Sequence, residues 1–332
     1  MQQNIDQQIK MDYFLGCDWG TTSLRLWLAK TNDGQALALV KSDCGIAETQ
    51  RKWQEDSGNR EKRTAFYLDV VNQHVKKLEM KTGQSLTGLM LIISGMASSS
   101  IGMIDIPYAS MPLPVDGTGV NTVFMPANSD FEHDVLIVSG ARGNGDVMRG
   151  EETQLIGCID AYESIGNELF IFPGTHSKHI IVKNSKIVSV QTYMTGEVFN
   201  LLAQQSILKN GVAAEGAFDL NSFKTGVNDS LKANLLHSIF KTRTNHLFDV
   251  YSKRQNYDYL SGLLIGAELN DLMNNDVEKI NLVCASNLEI YYKTALAEFN
   301  LSKISMTFPA QWVDEAALRG QYKIGRSLKY LA

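Results

Sequence analysis

The sequence predicts an α/β protein of two domains. Its 332 residues exceed the usual size of a single core, so we expect two domains with the active site in the cleft between them. Strands, glycine-containing loops and helices alternate along most of the chain. Two β-hairpins, each with Gly-Thr at its tip, lie far apart in the sequence, which indicates two related halves.

The first hairpin lies in the sequence FLGCDWGTTSLRLWLAK. An apolar strand from about Tyr13 is followed by a turn at Gly20 to Thr22 and by a second strand from Leu24 to Ala29, which a turn at Asn32 to Gly34 closes. A helical pattern then runs from about Lys62 to Met80.

Two further apolar strands each lead into a glycine-rich segment. The strand GLMLIIS, from Gly88 to Ser94, precedes the small-residue loop GMASSSIG, from Gly95 to Gly102. The strand DVLIVSG, from Asp134 to Gly140, precedes RGNGDVMRGEETQLIG. Both segments fit the alternation of strand, loop and helix in an α/β domain.

The second hairpin is predicted from ELFIFPG, a turn THSKH and a strand IIVKNSKIVSV that reaches Val190. A mainly helical region follows to about Met273. The strand from Ile280 to Ser286, a helix from Leu288 and a last helix from about Asp314 complete the pattern.

Composition argues against several classes of protein. A net charge of -5 with 44% hydrophobic residues is typical of an acidic globular protein, and no basic stripe suggests nucleic acid as a partner. The cysteines form no CxxC pair, which argues against a zinc site or a disulfide framework and favours the cytoplasm. These cysteines are Cys17, Cys44, Cys158 and Cys284.

No membrane segment is expected from the hydropathy pattern. The start MQQNIDQQIKMDY is polar and lacks the apolar core of a signal peptide. The uncharged stretch from Thr82 to Ile104 is interrupted by Gly and Ser clusters, so it is interpreted as a buried strand followed by a loop.

The DWGTTS turn is suited to phosphate. Glycine allows the backbone amides of Gly20, Thr21 and Thr22 to approach an anion, and the threonine hydroxyls add donors. Beside a polyphosphate, the Asp18 carboxylate would hold a hydrated Mg²⁺. The alternative is that these residues only cap a tight hairpin.

A second turn, FPGTHSKH, favours the phosphate interpretation. Gly174, Thr175 and Ser177 repeat the glycine-and-hydroxyl pattern, and Lys178 could add a cation. Two such turns would form a phosphate clamp built from two related domains, facing each other across a cleft. Neither turn is a P-loop, because GxxxxGK[ST] is absent.

The two hairpins resemble those of the superfamily of actin, heat-shock chaperone ATPases and sugar kinases. DWGTTSLRLW, SGMASSSIGMIDIPY, VMRGEETQLIG, PGTHSKHI, MTGE and LSGLLIGAE occur here in the order found in the 2-dehydro-3-deoxygalactonokinase family. The resemblance covers nearly the whole chain from Tyr13 onward. It implies two ribonuclease-H-like domains, residues 1–150 and 151–332, that clamp ATP with Mg²⁺; the last helix could pack back on the first domain.

The resemblance also implies a catalytic base. Related sugar kinases use an acidic residue after a glycine at the start of a helix, and GEE, Gly150 to Glu152, is the nearest match here. Glu151 is therefore the first candidate for the base, with Glu152 and Asp146 behind it. The alternative is that the glutamates are helix-start acids that interact with the helix dipole. The glutamate departs from the family's usual aspartate.

The implied substrate is a keto-sugar acid, 2-dehydro-3-deoxy-D-galactonate, phosphorylated to its 6-phosphate. Arg149 could hold its carboxylate in a bidentate fork, and Tyr108 could form one wall. The loop after the strand could contact hydroxyls, unless it is only a solvated loop. The loop residues considered are Gly95, Met96, Ser98, Ser99 and Ser100.

Two features bear on the rest of the site. The adenine turn of the superfamily is replaced by LVCASNLEIYY, with Ser286 as the candidate nucleotide contact. His176 and His179 flank Lys178, but two histidines on a hairpin are more often structural, and no transition metal is assigned.

Other functions remain open at this point. The chain could phosphorylate another keto-sugar acid, or serve as a non-catalytic sugar-acid sensor on the same scaffold, although too few residues precede Tyr13 for a helix-turn-helix. A nucleotide-driven interaction switch would not need the acidic pair after Gly150. A homodimer is left open.

Overall fold

The computed structural model describes residues 12–56, 62–159, 166–274 and 276–331. Packing contacts divide the chain into two compact units. Unit 1 contains the described residues up to 159, together with 183–190 and 311–331. Unit 2 contains 166–182 and the described residues of 191–310.

These units differ from the expected division at residue 150. The helix α3, Glu151–Cys158, and the last helix α9, Ala310–Ser327, are assigned to unit 1, except for Ala310. The expected second domain, 151–332, therefore contains segments that pack within unit 1. The sequence left open whether the last helix packs on the first domain, and α9 from residue 311 belongs to unit 1.

Unit 1 is built on a six-stranded sheet in the order β3-β2-β1-β4-β8-β7. The first three strands form antiparallel pairs, β1 pairs in parallel with β4 and β4 with β8, and β7 is antiparallel to β8. The order of the first five strands is that of a ribonuclease-H-like domain. The strands are β1 Tyr13–Trp19, β2 Leu24–Lys30, β3 Ala36–Ser42, β4 Met90–Gly95, β7 Thr122–Met125 and β8 Val135–Val138.

Short strands and helices complete the described part of unit 1. A three-stranded sheet has the order β10-β9-β5, and β6 pairs with the start of β13. The short strands are β5 Ala109–Ser110, β6 Leu113–Pro114, β9 Ala141–Arg142 and β10 Val147–Met148, and β13 is Lys186–Tyr193. The helices are α1 Ile46–Asp56, α2 Arg63–Thr82, α3 and α9.

Helix α2 confirms the periodic pattern that predicts it. Tyr67, Val71, Val75 and Leu78 recur every three or four residues and are buried against the sheet. The helix ends at Gly83, whose φ of 71° is left-handed and allows its N–H to bond the Glu79 carbonyl.

Unit 2 repeats the same strand order. Its sheet runs β15-β14-β11-β12-β13, of which residues 191–193 of β13 belong to this unit, and β11, β14 and β15 are parallel. This matches the order β8-β4-β1-β2-β3, so the prediction of two ribonuclease-H-like domains is confirmed. The remaining strands are β11 Asn167–Phe172, β12 Ser177–Lys183, β14 Lys279–Leu282 and β15 Ser305–Thr307.

The second hairpin departs from its predicted form. The predicted strand IIVKNSKIVSV is broken at Asn184 and Ser185, whose φ values of 50° and 55° form a turn between β12 and β13. Ser177 and Lys178, predicted in the preceding turn, belong to strand β12. His179 also belongs to β12, so the turn is three residues shorter than predicted, and a third strand, β13, follows the hairpin, as in unit 1.

Within the described residues, helices α4 to α8 cover unit 2, among them α5 (Leu220–Lys232) and α7 (Lys253–Leu269). Helices α5 and α7 approach so closely that a side-chain carbon at Gly226 would lie 2.1 Å from the Tyr259 carbonyl oxygen, and one at Gly262 would lie 2.1 Å from that of Phe223. The glycines of LSGLLIGAE therefore permit this packing. The helices are α4 Thr195–Gln205, α5 Leu220–Lys232, α6 Leu235–Leu247, α7 Lys253–Leu269 and α8 Ser286–Glu298.

None of the helices within the described ranges combines the length and apolar character needed to cross a bilayer.

Candidate active site

The turn after β1 places Asp18 at the end of the central strand of unit 1. Asp18 is buried, and its Oδ2 lies 3.8 Å from Nε of Arg25, its partner across the antiparallel pair. Burial raises the pKa of the Asp18 carboxyl, and the Arg25 guanidinium partly opposes this shift. Thr21 and Thr22 are exposed in the turn, where the Gly20 N–H bonds the Ser23 carbonyl at 2.9 Å.

Helix α1 supports this turn from below. The N–H groups of Ile46 and Ala47 donate to the carbonyls of Gly20 and Thr21, at 2.9 and 3.0 Å. A side-chain carbon at Gly45 would lie 2.3 Å from the Thr21 carbonyl oxygen, so only glycine fits there. The predictions from sequence included neither α1 nor Gly45. The first amides of the helix thus hold the turn backbone.

Two glycines bring the start of α3 next to Asp18. Gly95, at the end of β4, has a φ of 88°, and a side-chain carbon there would lie 2.7 Å from the Trp19 carbonyl oxygen and 3.4 Å from Asp18 Oδ1. A side-chain carbon at Gly150 would in turn lie 3.4 Å from the Gly95 Cα. The structure therefore places the GEE motif beside the DWGTT turn within unit 1.

Glu152 is the buried member of the acidic pair. Its carboxylate accepts the Gly150 N–H through both oxygens, at 3.0 and 2.8 Å, and the Thr153 hydroxyl at 3.0 Å. Burial, together with the charge of Glu151, raises the pKa of Glu152 to about 8, despite these donors. This contact matches the alternative interpretation of an acid that caps a helix start.

We expect Glu152 to make stability depend on pH. Its usual pKa is 4.5, so between about pH 4.5 and 8 the folded protein keeps a proton that the unfolded chain has released. The free energy of unfolding should therefore fall as pH rises through this window, by at most about 1.4 kcal/mol per pH unit. Thermal unfolding across the window should show a smaller decline for Glu152→Gln than for the unchanged protein. Parallel profiles would contradict this expectation.

Glu151 and Asp146 lie in different surroundings. Glu151 is half-buried, and its Oε2 accepts the Arg149 N–H at 3.0 Å. Asp146 lies in the turn between β9 and β10, where its Oδ1 accepts the Val147 N–H at 2.7 Å. Of the two, Glu151 adjoins Gly150, which approaches Gly95.

Arg149 lies against the predicted substrate loop. Its Nη1 donates to the Ser98 hydroxyl at 2.7 Å and to the Ser98 carbonyl, and its guanidinium carbon lies 4.1 Å from the centre of the Tyr108 ring. Ser98 and Ser99 are buried, whereas Ser100 is exposed and its carbonyl accepts Arg63. The first part of this loop is therefore not a solvated loop.

The turn of unit 2 is supported in the same way as the turn of unit 1. The Glu197 N–H, at the start of α4, donates to the Thr175 carbonyl at 3.0 Å. A side-chain carbon at Gly196 would lie 2.5 Å from the Gly174 carbonyl oxygen. Gly196, of the MTGE motif, thus corresponds to Gly45, and Thr175 is exposed at the tip.

The side chains after this turn point into the unit. Ser177 is fully buried, and its Oγ lies 3.0 Å from the Tyr292 hydroxyl. Lys178 is buried, and its Nζ donates to Thr192 at 2.8 Å. His179 is buried against Glu268, and the exposed His176 lies 2.5 Å from Glu197 Oε2. The buried pair His179 and Glu268 agrees with the structural interpretation of these histidines.

A pocket of about 320 Å³ opens beside the turn of unit 2, within the range typical of small-molecule sites. Helices α4, α7 and α8 contribute an aromatic wall that the sequence predictions did not include. Ser286 itself is exposed, and its neighbours Asn287 and Leu288 line the pocket. The turn and the aromatic wall contribute Gly174, Thr175, Phe199, Tyr257, Tyr291 and Tyr292.

Among the described residues, no group of three or more His, Cys, Asp or Glu side chains could enclose a metal ion. A hydrated Mg²⁺ needs only one or two carboxylates besides its waters and phosphate ligands. The buried Asp18 carboxylate beside an amide-rich turn fits that requirement.

Two ribonuclease-H-like units, each with a supported Gly-Thr turn, define a protein of the actin-like ATPase fold. The chain belongs to the 2-keto-3-deoxy-galactonokinase family, whose model matches residues 18–324. The resemblance seen in the motifs is thereby confirmed, and with it the class of carbohydrate kinases that use ATP.

Individual relatives agree with this family. A Rhizobium meliloti (strain 1021) protein assigned as 2-dehydro-3-deoxygalactonokinase DgoK1 is 30% identical over 303 residues, which cover 87% of this chain and 90% of that protein. The Escherichia coli (strain K12) 2-dehydro-3-deoxygalactonokinase is 28% identical over 289 residues, covering 85% and 88%. A crystal structure of a protein assigned to the same activity, from Sinorhizobium meliloti, has a TM-score of 0.79 at 27% identity and covers 96% of this chain and 98% of that one.

Proposed function

We propose that this protein transfers the γ-phosphoryl group of ATP to O6 of 2-dehydro-3-deoxy-D-galactonate in D-galactonate catabolism. The family match over residues 18–324 carries this proposal. The side chains of each unit support separate parts of the reaction: an acidic helix start beside Asp18 in unit 1, and an aromatic pocket beside a Gly-Thr turn in unit 2.

The pocket of unit 2 is the proposed nucleotide site. Aromatic faces such as Phe199, Tyr257 and Tyr291 suit a flat adenine ring. The Gly174 and Thr175 turn lines the same pocket, and its backbone and exposed hydroxyl suit the phosphates. Ser286 is proposed to lie at the edge of the base site, because the next two residues line the pocket.

Unit 1 is the proposed site of the acceptor hydroxyl. Glu151 would accept the O6 proton while the bond from O6 to the γ-phosphorus forms and the bond to the leaving ADP oxygen breaks. The amides and hydroxyls of Thr21 and Thr22 would donate to phosphate oxygens, while Gly20, whose N–H bonds the Ser23 carbonyl, would shape the turn. Mg²⁺, held through water by Asp18, would supply positive charge against the phosphates.

Arg149 is the proposed anchor for the sugar-acid carboxylate. Its Nη1 is committed to Ser98, and Tyr108 packs against the guanidinium plane. A guanidinium has five N–H donors, so this arrangement fixes its orientation and still leaves a donor edge for a bidentate carboxylate contact. The loop Gly95, Met96, Ser98 and Ser100 is proposed to face the substrate hydroxyls.

The proposed setting is the cytoplasm, because the four cysteines are free thiols and ATP is available there. The reaction requires a small-molecule substrate and needs neither nucleic acid, a membrane nor a second copy of the chain. Another keto-sugar acid remains the second candidate substrate.

A substrate panel tests the proposed function. The purified protein should consume ATP with 2-dehydro-3-deoxy-D-galactonate, and mass spectrometry should find one phosphate on the product, at O6. Turnover of a different sugar acid in its place would refute the substrate and leave the kinase assignment. If the protein consumes ATP with none of the sugar acids in the panel but binds one of them tightly, the sensor function would be favoured.

A further inference from the structure

A buried acid at the end of α7 joins four separate elements of unit 2. Glu268 is 2% exposed, and its carboxylate lies within hydrogen-bond distance of three side chains. His179 Nε2 of β12 lies 3.0 Å from Oε1; the Thr195 hydroxyl of α4 and the Tyr292 hydroxyl of α8 lie 2.5 and 2.8 Å from Oε2. Glu268 is the last residue of LSGLLIGAE, a motif to which the proposed reaction gives no role.

The partners of Glu268 surround the pocket. Thr195 and Tyr292 line it, and His179 lies on the strand that leaves the Gly174 and Thr175 turn. Glu268 lies behind this lining, since it is not among the residues that line the pocket. It contacts the pocket wall without facing the pocket space.

The directions of these hydrogen bonds follow from the chemistry of the carboxylate. An ionised carboxylate only accepts, so Tyr292 and Thr195 both donate to Glu268. Burial, and then the charge of Glu268, raise the pKa of Tyr292 well above its usual value, so this hydroxyl keeps its proton. Because the Tyr292 proton points to Glu268, the bond between Tyr292 and Ser177 must use the Ser177 proton.

The chain of donors ends at the turn. With its proton committed to Tyr292, the Ser177 oxygen accepts the Gly174 N–H, at 3.4 Å. Ser177 is then an acceptor for the turn backbone and has no proton to offer a phosphate. In this arrangement the Ser177 hydroxyl, a candidate phosphate donor from the sequence, orders the turn backbone instead.

We propose that Glu268 is a positioning residue of the nucleotide site. Through Tyr292 and Ser177 it sets the backbone of the Gly174 and Thr175 turn, and through Thr195 it fixes the start of α4, which supports the same turn. The inference rests on the proposed function, because it takes the pocket to hold a nucleotide.

A carboxylate at this position can accept from His179, Thr195 and Tyr292 at once and strengthens each bond by its charge. A glutamine at 268 would direct its NH₂ either at His179 Nε2 or at the two hydroxyls. In the second case Tyr292 would have to accept from residue 268, and its proton would turn towards Ser177. In the first case the amide oxygen still accepts from both hydroxyls, but the bonds lose the carboxylate charge that strengthens them, and His179 must present an unprotonated nitrogen. Only the second case reverses the donor order that ends at Gly174.

The test compares Glu268→Gln with Glu168→Gln. Glu168 is also a buried acid of unit 2, and it accepts a hydrogen bond from Asn281 at 2.9 Å within the sheet. Losing a charged hydrogen bond costs enough to raise the KM for ATP and the Kd for MgADP about tenfold or more in Glu268→Gln. The KM for the sugar acid should stay within about twofold, and Glu168→Gln should leave both nucleotide constants near those of the unchanged protein.

Direct MgADP binding separates this inference from the proposed function. If the unchanged protein binds MgADP but phosphorylates no sugar acid, the function fails and the binding comparison still tests Glu268. Equal MgADP Kd values in Glu268→Gln and Glu168→Gln would overturn the inference. It would also be overturned if both variants lost MgADP affinity in proportion to their loss of thermal stability. Failure of the unchanged protein to bind MgADP would also overturn it.

A double-mutant cycle tests the donor chain itself. Glu268 and Ser177 act through Tyr292, so the effects of Glu268→Gln and Ser177→Ala on the MgADP Kd should not multiply. The fold-increase in Kd of the double variant should be at least about threefold smaller than the product of the two single fold-increases. In a Tyr292→Phe background the two effects should multiply. Simple multiplication with Tyr292 present would overturn the proposed chain.

Discussion

Replacement of Glu151 by Gln is expected to lower kcat by about 100- to 10,000-fold, because an amide cannot accept the O6 proton. The KM for ATP should change little, since the proposed nucleotide pocket lies in unit 2. Glu151 is preferred over its neighbour because Glu152 is fully buried and both of its oxygens accept the Gly150 N–H. Steady-state kinetics with both substrates varied would give the two constants.

The decisive comparison sets Glu151→Gln beside Glu152→Gln and Asp146→Asn. Phosphoryl transfer through a loose transition state asks little of a base until late, so a loss milder than about 100-fold would indicate that Glu151 positions the hydroxyl. Near-normal turnover in Glu151→Gln, with activity abolished in either of the others, would place the base elsewhere.

Replacement of Asp18 by Asn is expected to lower kcat/KM for MgATP by roughly 100-fold, because part of the charge stabilisation supplied by the metal is lost. The Mg²⁺ concentration that gives half of the maximal rate should rise. Burial raises the pKa of Asp18, so the ionised carboxylate costs the folded state free energy that an amide would not. The variant should therefore be at least as stable as the unchanged protein.

Metal titration and thermal unfolding distinguish the two effects of this substitution. An unchanged Mg²⁺ requirement would show that Asp18 does not serve the metal. Lost activity accompanied by a lower melting temperature would assign Asp18 a structural role, held through its contact with Arg25.

The first hairpin could be predicted closely because its sequence carries every local signal. Apolar strands flank the Gly-Thr turn, and β1 and β2 lie within a residue of their predicted bounds. The second hairpin was predicted less closely, because the polar stretch KNSK within IIVKNSKIVSV, which marks the turn, was included in one strand. The turn at Asn184 and Ser185 depends on two residues in left-handed conformations, which asparagine tolerates better than most residues.

The candidate site was predictable only where a motif is continuous in sequence. The GEE segment and the DWGTT turn were identified separately. They approach each other through Gly95, which lies between Gly150 and the Trp19 carbonyl, and this role appears only when β4 and α3 are packed. The aromatic pocket draws Phe199, Tyr257 and Tyr291 from three helices, and no single stretch of sequence contains it. Sequence pattern likewise could not predict that Ser177 faces inward.

Helix α9 has a consequence for how the protein is made. Gln321 of this helix donates to the Cys17 carbonyl and to the Ser94 hydroxyl, both at 2.8 Å, and so covers β1 and β4 in the centre of unit 1. Residues 311–331 leave the ribosome only after all of unit 2. The first sheet therefore lacks this helix while unit 2 is synthesised, which takes on the order of ten seconds at ordinary elongation rates. A nascent chain that stalls within unit 2 would therefore carry an incomplete unit 1, open to chaperones and proteases.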